Sequence, residues 1–284
     1  MTTRTTSSTL ALFGGALLSV GCLGPTENVP DPKSQATFDI AVDEFKKGHL
    51  RESLSQVTEA LKQDGNNGDA ALLGSHIYLA FCAQDVTSPD CRFADAEKLA
   101  RLAVDKLPES REAKNTLGVV LVHRKLHAEA IEVLKALSED ILYESPQMAW
   151  GNLGWAYLES GEVDLAIDAL RRSIAAQPNF CVGNYRLGLA YEKKGDLEAA
   201  RGAFTRALET DRPVCKRIQE AWEGRARVGG RLGATDEARS DSEQCKKLAP
   251  ASASGARCAT LLAGLPAASP EGAGKREEPR PEGG

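Results

Sequence analysis

Trp150-Gly-Asn-Leu153-Gly154-Trp-Ala-Tyr157, followed by Ala166, Leu170 and Pro178, decides the fold of this chain. One period of 34 residues further on, the arrangement returns as Leu187-Gly188, Tyr191, Ala200, Phe204 and Ala207. Bulky residues three and four apart mark helices, and small residues at fixed places mark points where two helices approach closely. Self-similarity at this period means a stack of helix pairs, because one pair alone cannot bury its apolar face.

The spacing resembles that of the tetratricopeptide repeat: W-x2-L-G-x2-Y, then Ala, a bulky residue four later, then Pro. Six units fall in register. The Leu-Gly site of the first helix reads Ile40-Ala41, Leu73-Gly74, Leu117-Gly118, Leu153-Gly154, Leu187-Gly188 and Arg225-Ala226. The small site of the second helix reads Ser53, Ala96, Ala130, Ala166, Ala200 and Ala238. Gly48, Gly161 and Gly195 fall at the turn inside a pair, where a left-handed conformation is wanted. Pro108, Pro178 and Pro250 end second helices, which proline cannot continue. The expected fold is an all-α solenoid of six helix-turn-helix units over residues 34–265, with a short capping helix from Ala256 to Leu265. Insertions interrupt it at Cys82 to Arg92, near Tyr143 and around Pro213 to Lys216. Residues 266–284, rich in Pro, Gly and Glu, cannot build a core and are expected to be disordered.

The N-terminus departs from this pattern. Thr9 to Val20 is apolar, free of acidic residues and preceded by Arg4, which reads as the core of a signal peptide over residues 1–21. The stretch ends in Leu18-Ser-Val-Gly21-Cys22, similar to the lipobox of bacterial lipoproteins. That resemblance implies cleavage before Cys22 and acylation of Cys22. It also implies an outer-membrane destination, since Leu23 rather than Asp follows. Residues 22–33, with three prolines, then form a tether. The alternative is a soluble secreted protein with a coincidental cysteine.

Six further cysteines, an even number in an exported chain, suggest disulfides. Fifteen pairings exist, and the repeat frame narrows them. Cys82 and Cys91 bracket the first insertion, Cys181 and Cys215 lie about one period apart, and Cys245 and Cys258 join the sixth unit to its cap. Cys245, at a small buried site, could equally be a core thiol.

Nothing in the sequence suggests catalysis, a cofactor or a metal. His123 and His127 are four apart but straddle a turn, with no Glu where a zinc hydrolase needs one. The net charge of −5 and the lack of an evident basic face argue against a nucleic-acid partner.

In tetratricopeptide domains the inner face is lined by first-helix residues about one turn apart. Carried over, that resemblance gives Phe38, Val42 and Phe45 in the first unit, and Tyr78 and Leu79 in the second. It gives Asn115, Val119 and Val122 in the third, Met148, Trp155 and Leu158 in the fourth, and Val182, Tyr185 and Leu189 in the fifth. The sixth contributes Glu220, Glu223, Arg227 and Arg231. An apolar, aromatic groove with a charged end is expected, suited to an amphipathic segment of a protein partner.

A lipobox, a tether and six such repeats resemble the pilotin lipoproteins of type IV pilus systems, of the Tgl/PilF type. That family implies a lipid-anchored protein on the periplasmic side of the outer membrane. It binds secretin subunits and promotes their assembly for pilus biogenesis and social gliding motility. The rival expectation is a repeat scaffold for cell-wall or outer-membrane assembly complexes.

Overall fold

The computed structural model describes residues 29–209 and 212–266. The signal peptide, Cys22, most of the tether and the tail beyond 266 lie outside the described residues. Thirteen α-helices and one short 3-10 turn make up the described chain, with no strand among them. Six hairpins follow one another: α1 (Pro32–Lys46) with α2 (Leu50–Gln63), α3 (Gly68–Gln84) with α4 (Phe93–Lys106), and α5 (Arg111–His123) with α6 (His127–Ser138). Then come α7 (Pro146–Ser160) with α8 (Val163–Ala176), α9 (Cys181–Lys194) with α10 (Leu197–Leu208), and α11 (Gln219–Arg231) with α12 (Thr235–Leu248). The last helix, α13 (Ala253–Gly264), packs on α11 and α12 and caps the array. Odd-numbered helices touch one another along the inner layer, and even-numbered helices form the outer one.

The small-residue sites explain the close pairing. A Cβ built on Gly188 would lie 2.6 Å from the Phe204 ring, and one on Gly154 would lie 2.5 Å from Leu170. Gly118 would collide with Leu134 in the same way. Leu134, Leu170 and Phe204 are fully buried, and burying each contributes about 1.5–3 kcal/mol. Gly48, Gly161 and Gly195 have φ of 81°, 92° and 88°, and Gly233 in the sixth hairpin has 80°, the left-handed region that ends the first helix of these pairs. In the third hairpin Lys125 takes this place, with φ 61°. Its amide bonds Val122 O and the next amide bonds Leu121 O, as the Gly161 pair bonds Leu158 and Tyr157.

Helix α1 begins two residues before the expected domain start. Asp31 caps it, accepting from the amides of Lys33 and Ser34, and Pro32 fits the first turn, where no amide is needed. Pro32 and Lys33 are therefore helix rather than tether. The structure joins Cys82 to Cys91, Cys181 to Cys215 and Cys245 to Cys258. The first bond closes the insertion, which Arg51 also ties down by donating to Asp90 at 2.7 Å. The second links the start of α9 to the 3-10 turn Cys215–Arg217, and the third staples α13 to α12.

Candidate inner-face site

Each hairpin presents its first helix inward, so residues about one period apart meet their counterparts on the neighbouring odd-numbered helix. Polar side chains make that seam. His76 on α3 lies 2.8 Å from the Thr116 hydroxyl on α5, and Asn152 on α7 donates to Asn115 on α5 at 2.8 Å. Arg186 on α9 donates from one nitrogen to Gly151 O at 3.0 Å and to Asn152 Oδ1 at 2.8 Å. Lys193 reaches Leu158 O, and Arg227 on α11 grips both Glu192 carboxylate oxygens at 2.7 Å.

This lacing revises the expected apolar groove. Asn115, Val122 and Leu158 are 3%, 3% and 5% exposed, consumed by packing between hairpins rather than offered to a partner. Phe38, Val42 and Phe45 are half-buried against the core of Leu73, Ile77 and Phe81 on α3. Tyr78 leaves the inner face altogether. It borders clefts with Leu54 and Thr58 of α2, and with Asp95 and Leu99 of α4, both outer helices. The second hairpin is therefore read one residue out of register at Tyr78, which takes the place Tyr191 holds in the fifth. Gly74 and Ser75 are both small and buried, so either fits the close-approach site, and the sequence there does not fix the frame.

Val119, Val182 and Leu79 stay half-buried on inner helices, and Met148, in the first turn of α7, is exposed. Leu189 and Tyr185 pack on the core around Phe204, whose ring centroid lies 6.2 Å from that of Tyr185. Burial pushes the Tyr185 phenol up to about 12.

Trp155 is the centre of what remains. The His123 ring meets it edge-on at 4.8 Å and itself stacks on Phe93 at 4.5 Å. On the other side the Arg186 guanidinium sits 4.6 Å from the indole centroid. The indole N–H donates to Glu159 at 3.2 Å. Burial pushes Arg186 down to about 10, and burial followed by the Arg186 charge lowers His123. The site is an aromatic surface bordered by a cation and a carboxylate. Sequence reasoning missed Arg186 and considered His123 only as a metal ligand, which it set aside. The available signal was Asn152 and Arg186, polar residues one repeat period apart, which meet for that reason.

The charged end is also real but differently used. Glu223, nearly buried, accepts twice from Arg257 of the capping helix at 2.7 Å and once from Arg227 at 3.1 Å. These ions hold α13 to α11.

Stacked antiparallel hairpins laced along an inner layer define a helical-repeat interaction scaffold. Tetratricopeptide-repeat profiles match residues 92–141, 149–180 and 185–250, just over half of the sequence, and the chain belongs to that family. A repeat-containing protein of Pseudomonas aeruginosa is 36% identical over 58 residues, 20% of this chain and 55% of that one. The chain spans about half the length of the curated relatives it matches. PilW, a type IV pilus biogenesis factor, superposes with a TM-score of 0.64 at 23% identity, over 80% of this chain and 98% of PilW. PilF of Pseudomonas aeruginosa gives 0.59 at 18%, over 80% and 96%. At these identities the likeness is one of fold.

Proposed function

We propose that this chain is an outer-membrane lipoprotein of the pilotin kind. Anchored through Cys22, it binds secretin subunits and promotes their localisation and assembly in type IV pilus biogenesis, including the pili that drive social gliding. The reading is carried by one combination: the lipobox-like Leu18 to Cys22 placed ahead of a six-hairpin stack of the same extent as PilW. Trp155, with His123 and Arg186 beside it, is the contact surface for an amphipathic secretin segment, because a partly exposed indole next to a cation favours aromatic-rich docking.

The test is recovery of secretin multimers from cells carrying Trp155→Ala, with folding checked by circular dichroism. A fall of roughly tenfold or more is expected if the indole anchors the client. Normal multimer levels with a folded variant defeat the inner-face site. Co-purification from membranes separates the rival scaffold role: cell-wall hydrolases or barrel-assembly factors in place of secretin would favour it. Tyr185 is a poor probe, since its burial against Phe204 makes loss of fold the first consequence of a charge there.

A further inference from the structure

Ile141 keeps 96% of its surface exposed, and Leu142 beside it keeps 66%. They sit in the turn between α6 and α7, within the insertion near Tyr143. The turn is held in place. Asp140 accepts from the Leu142 amide at 2.9 Å through one carboxylate oxygen and from Arg111 at 2.7 Å through the other. Its carbonyl accepts from the Tyr143 amide at 3.1 Å. Tyr143 turns inward onto Leu137 and Ala149. The turn thus buries its one amphipathic side chain and fixes two wholly apolar ones outward, the reverse of what water alone favours.

The position of the turn says what covers them. Helices alternate in direction, so the starts of odd-numbered helices and the ends of even-numbered ones share one edge of the stack. The α6–α7 turn lies on that edge, as do Val29 ahead of α1 and Val214 in the α10–α11 connection, 77% and 57% exposed. Cys22 precedes Val29 by seven residues, which reach at most about 25 Å when fully extended. A chain moored at Cys22 therefore keeps the α1 end of this edge within that reach of the bilayer, and a stack lying along the surface brings the α6–α7 turn to it as well.

We propose that Ile141 and Leu142 form a membrane-inserting wedge that enters the phospholipid surface and sets the orientation of the stack upon it. The inference rests on the acylation of Cys22 in the function proposed above. Arg111 neutralises Asp140 at the root of the wedge, while Glu139 and Glu144 flank it exposed. Attraction is thus apolar rather than electrostatic, and suits a zwitterionic lipid face.

The experiment places a diazirine amino acid at position 141 of the full-length chain in its native membrane. The control is position 86, since Val86 is 67% exposed but lies in the insertion at the opposite edge. Phospholipid adducts at 141 are expected to exceed those at 86 by about tenfold, the factor that burying one such side chain supplies. Adducts of 141 with protein, or equal lipid labelling at both positions in membrane-bound material, would overturn the wedge. Fractionation of the same samples reads the anchor separately. A chain found in the soluble fraction removes the acylation reading and the wedge together, a result distinct from the other two.

Discussion

Gly188 and Lys125 show how single residues set the hairpin geometry. At Gly188 any side chain meets the buried Phe204 ring, which has no room to retreat. Gly188→Val is expected to destabilise by about 2–3 kcal/mol, as overpacking of a tight contact does. Chemical denaturation measures this, and an unchanged midpoint would mean that the ring moves freely. Lys125 has the opposite problem, holding a left-handed backbone with a β-carbon where four other hairpins use glycine before their second helix. Lys125→Gly is expected to stabilise by roughly 0.5–1 kcal/mol, visible as a higher melting temperature. These two positions were of unequal legibility. The Leu-Gly pair announces a close approach, whereas nothing local to Arg124-Lys125 signals strain; only its alignment with Gly161 and Gly195 does.

Among the elements, the capping helix α13 is the one most dependent on specific bonds. Its covalent tie, Cys245–Cys258, closes a segment with a separation of 13 residues. Removing it with Cys245→Ser and Cys258→Ser is expected to cost about 3 kcal/mol in the chain-entropy model. Hydrogen exchange should show the loss confined to α12 and α13; uniform loss along the stack would mean that the cap is not a separate unit. The ionic tie is Glu223. Burial pushes its carboxyl up, but hydrogen bonds from Arg257 and Ser254 and the charges of Arg257 and Arg227 leave it below the ordinary glutamate value. A depressed folded pKa contributes stability above the unfolded value and loses it as pH falls through the folded one. The cap should therefore loosen progressively on acidification below about pH 4. Thermal melts of Glu223→Gln between pH 7 and pH 3 should show a flatter dependence than the parent. Parallel curves would assign the acid sensitivity to other carboxylates.

For the molecule as a whole, the array and its anchor make separable contributions. No helix among the described residues is long and apolar enough to cross a membrane. Attachment to a membrane therefore falls, in the proposed function, to Cys22 reinforced by the Ile141–Leu142 turn. Cys22→Ala is expected to move the protein into the soluble fraction, because two exposed apolar side chains cannot replace acyl chains that contribute about 0.8 kcal/mol per buried methylene. Persistent membrane association of that variant would count against acylation as the anchor.

The repeat itself was written into the sequence by itself. A 34-residue period of Leu-Gly, Ala and bulky positions leaves no other way to bury the apolar faces, so hairpin number, turn glycines and the cap followed from local pattern. Cysteine pairing was narrowed by the same frame, since units one period apart are neighbours. The wall of the inner face was decided only in three dimensions. Whether Asn115, Asn152 and Arg186 bond one another or face solvent depends on how adjacent odd-numbered helices are rotated, and a one-residue shift carries Tyr78 from the inner layer to the outer. Periodicity specifies which residues recur, but the rotation between hairpins is set by the summed packing of many side chains, and only the assembled stack contains that sum.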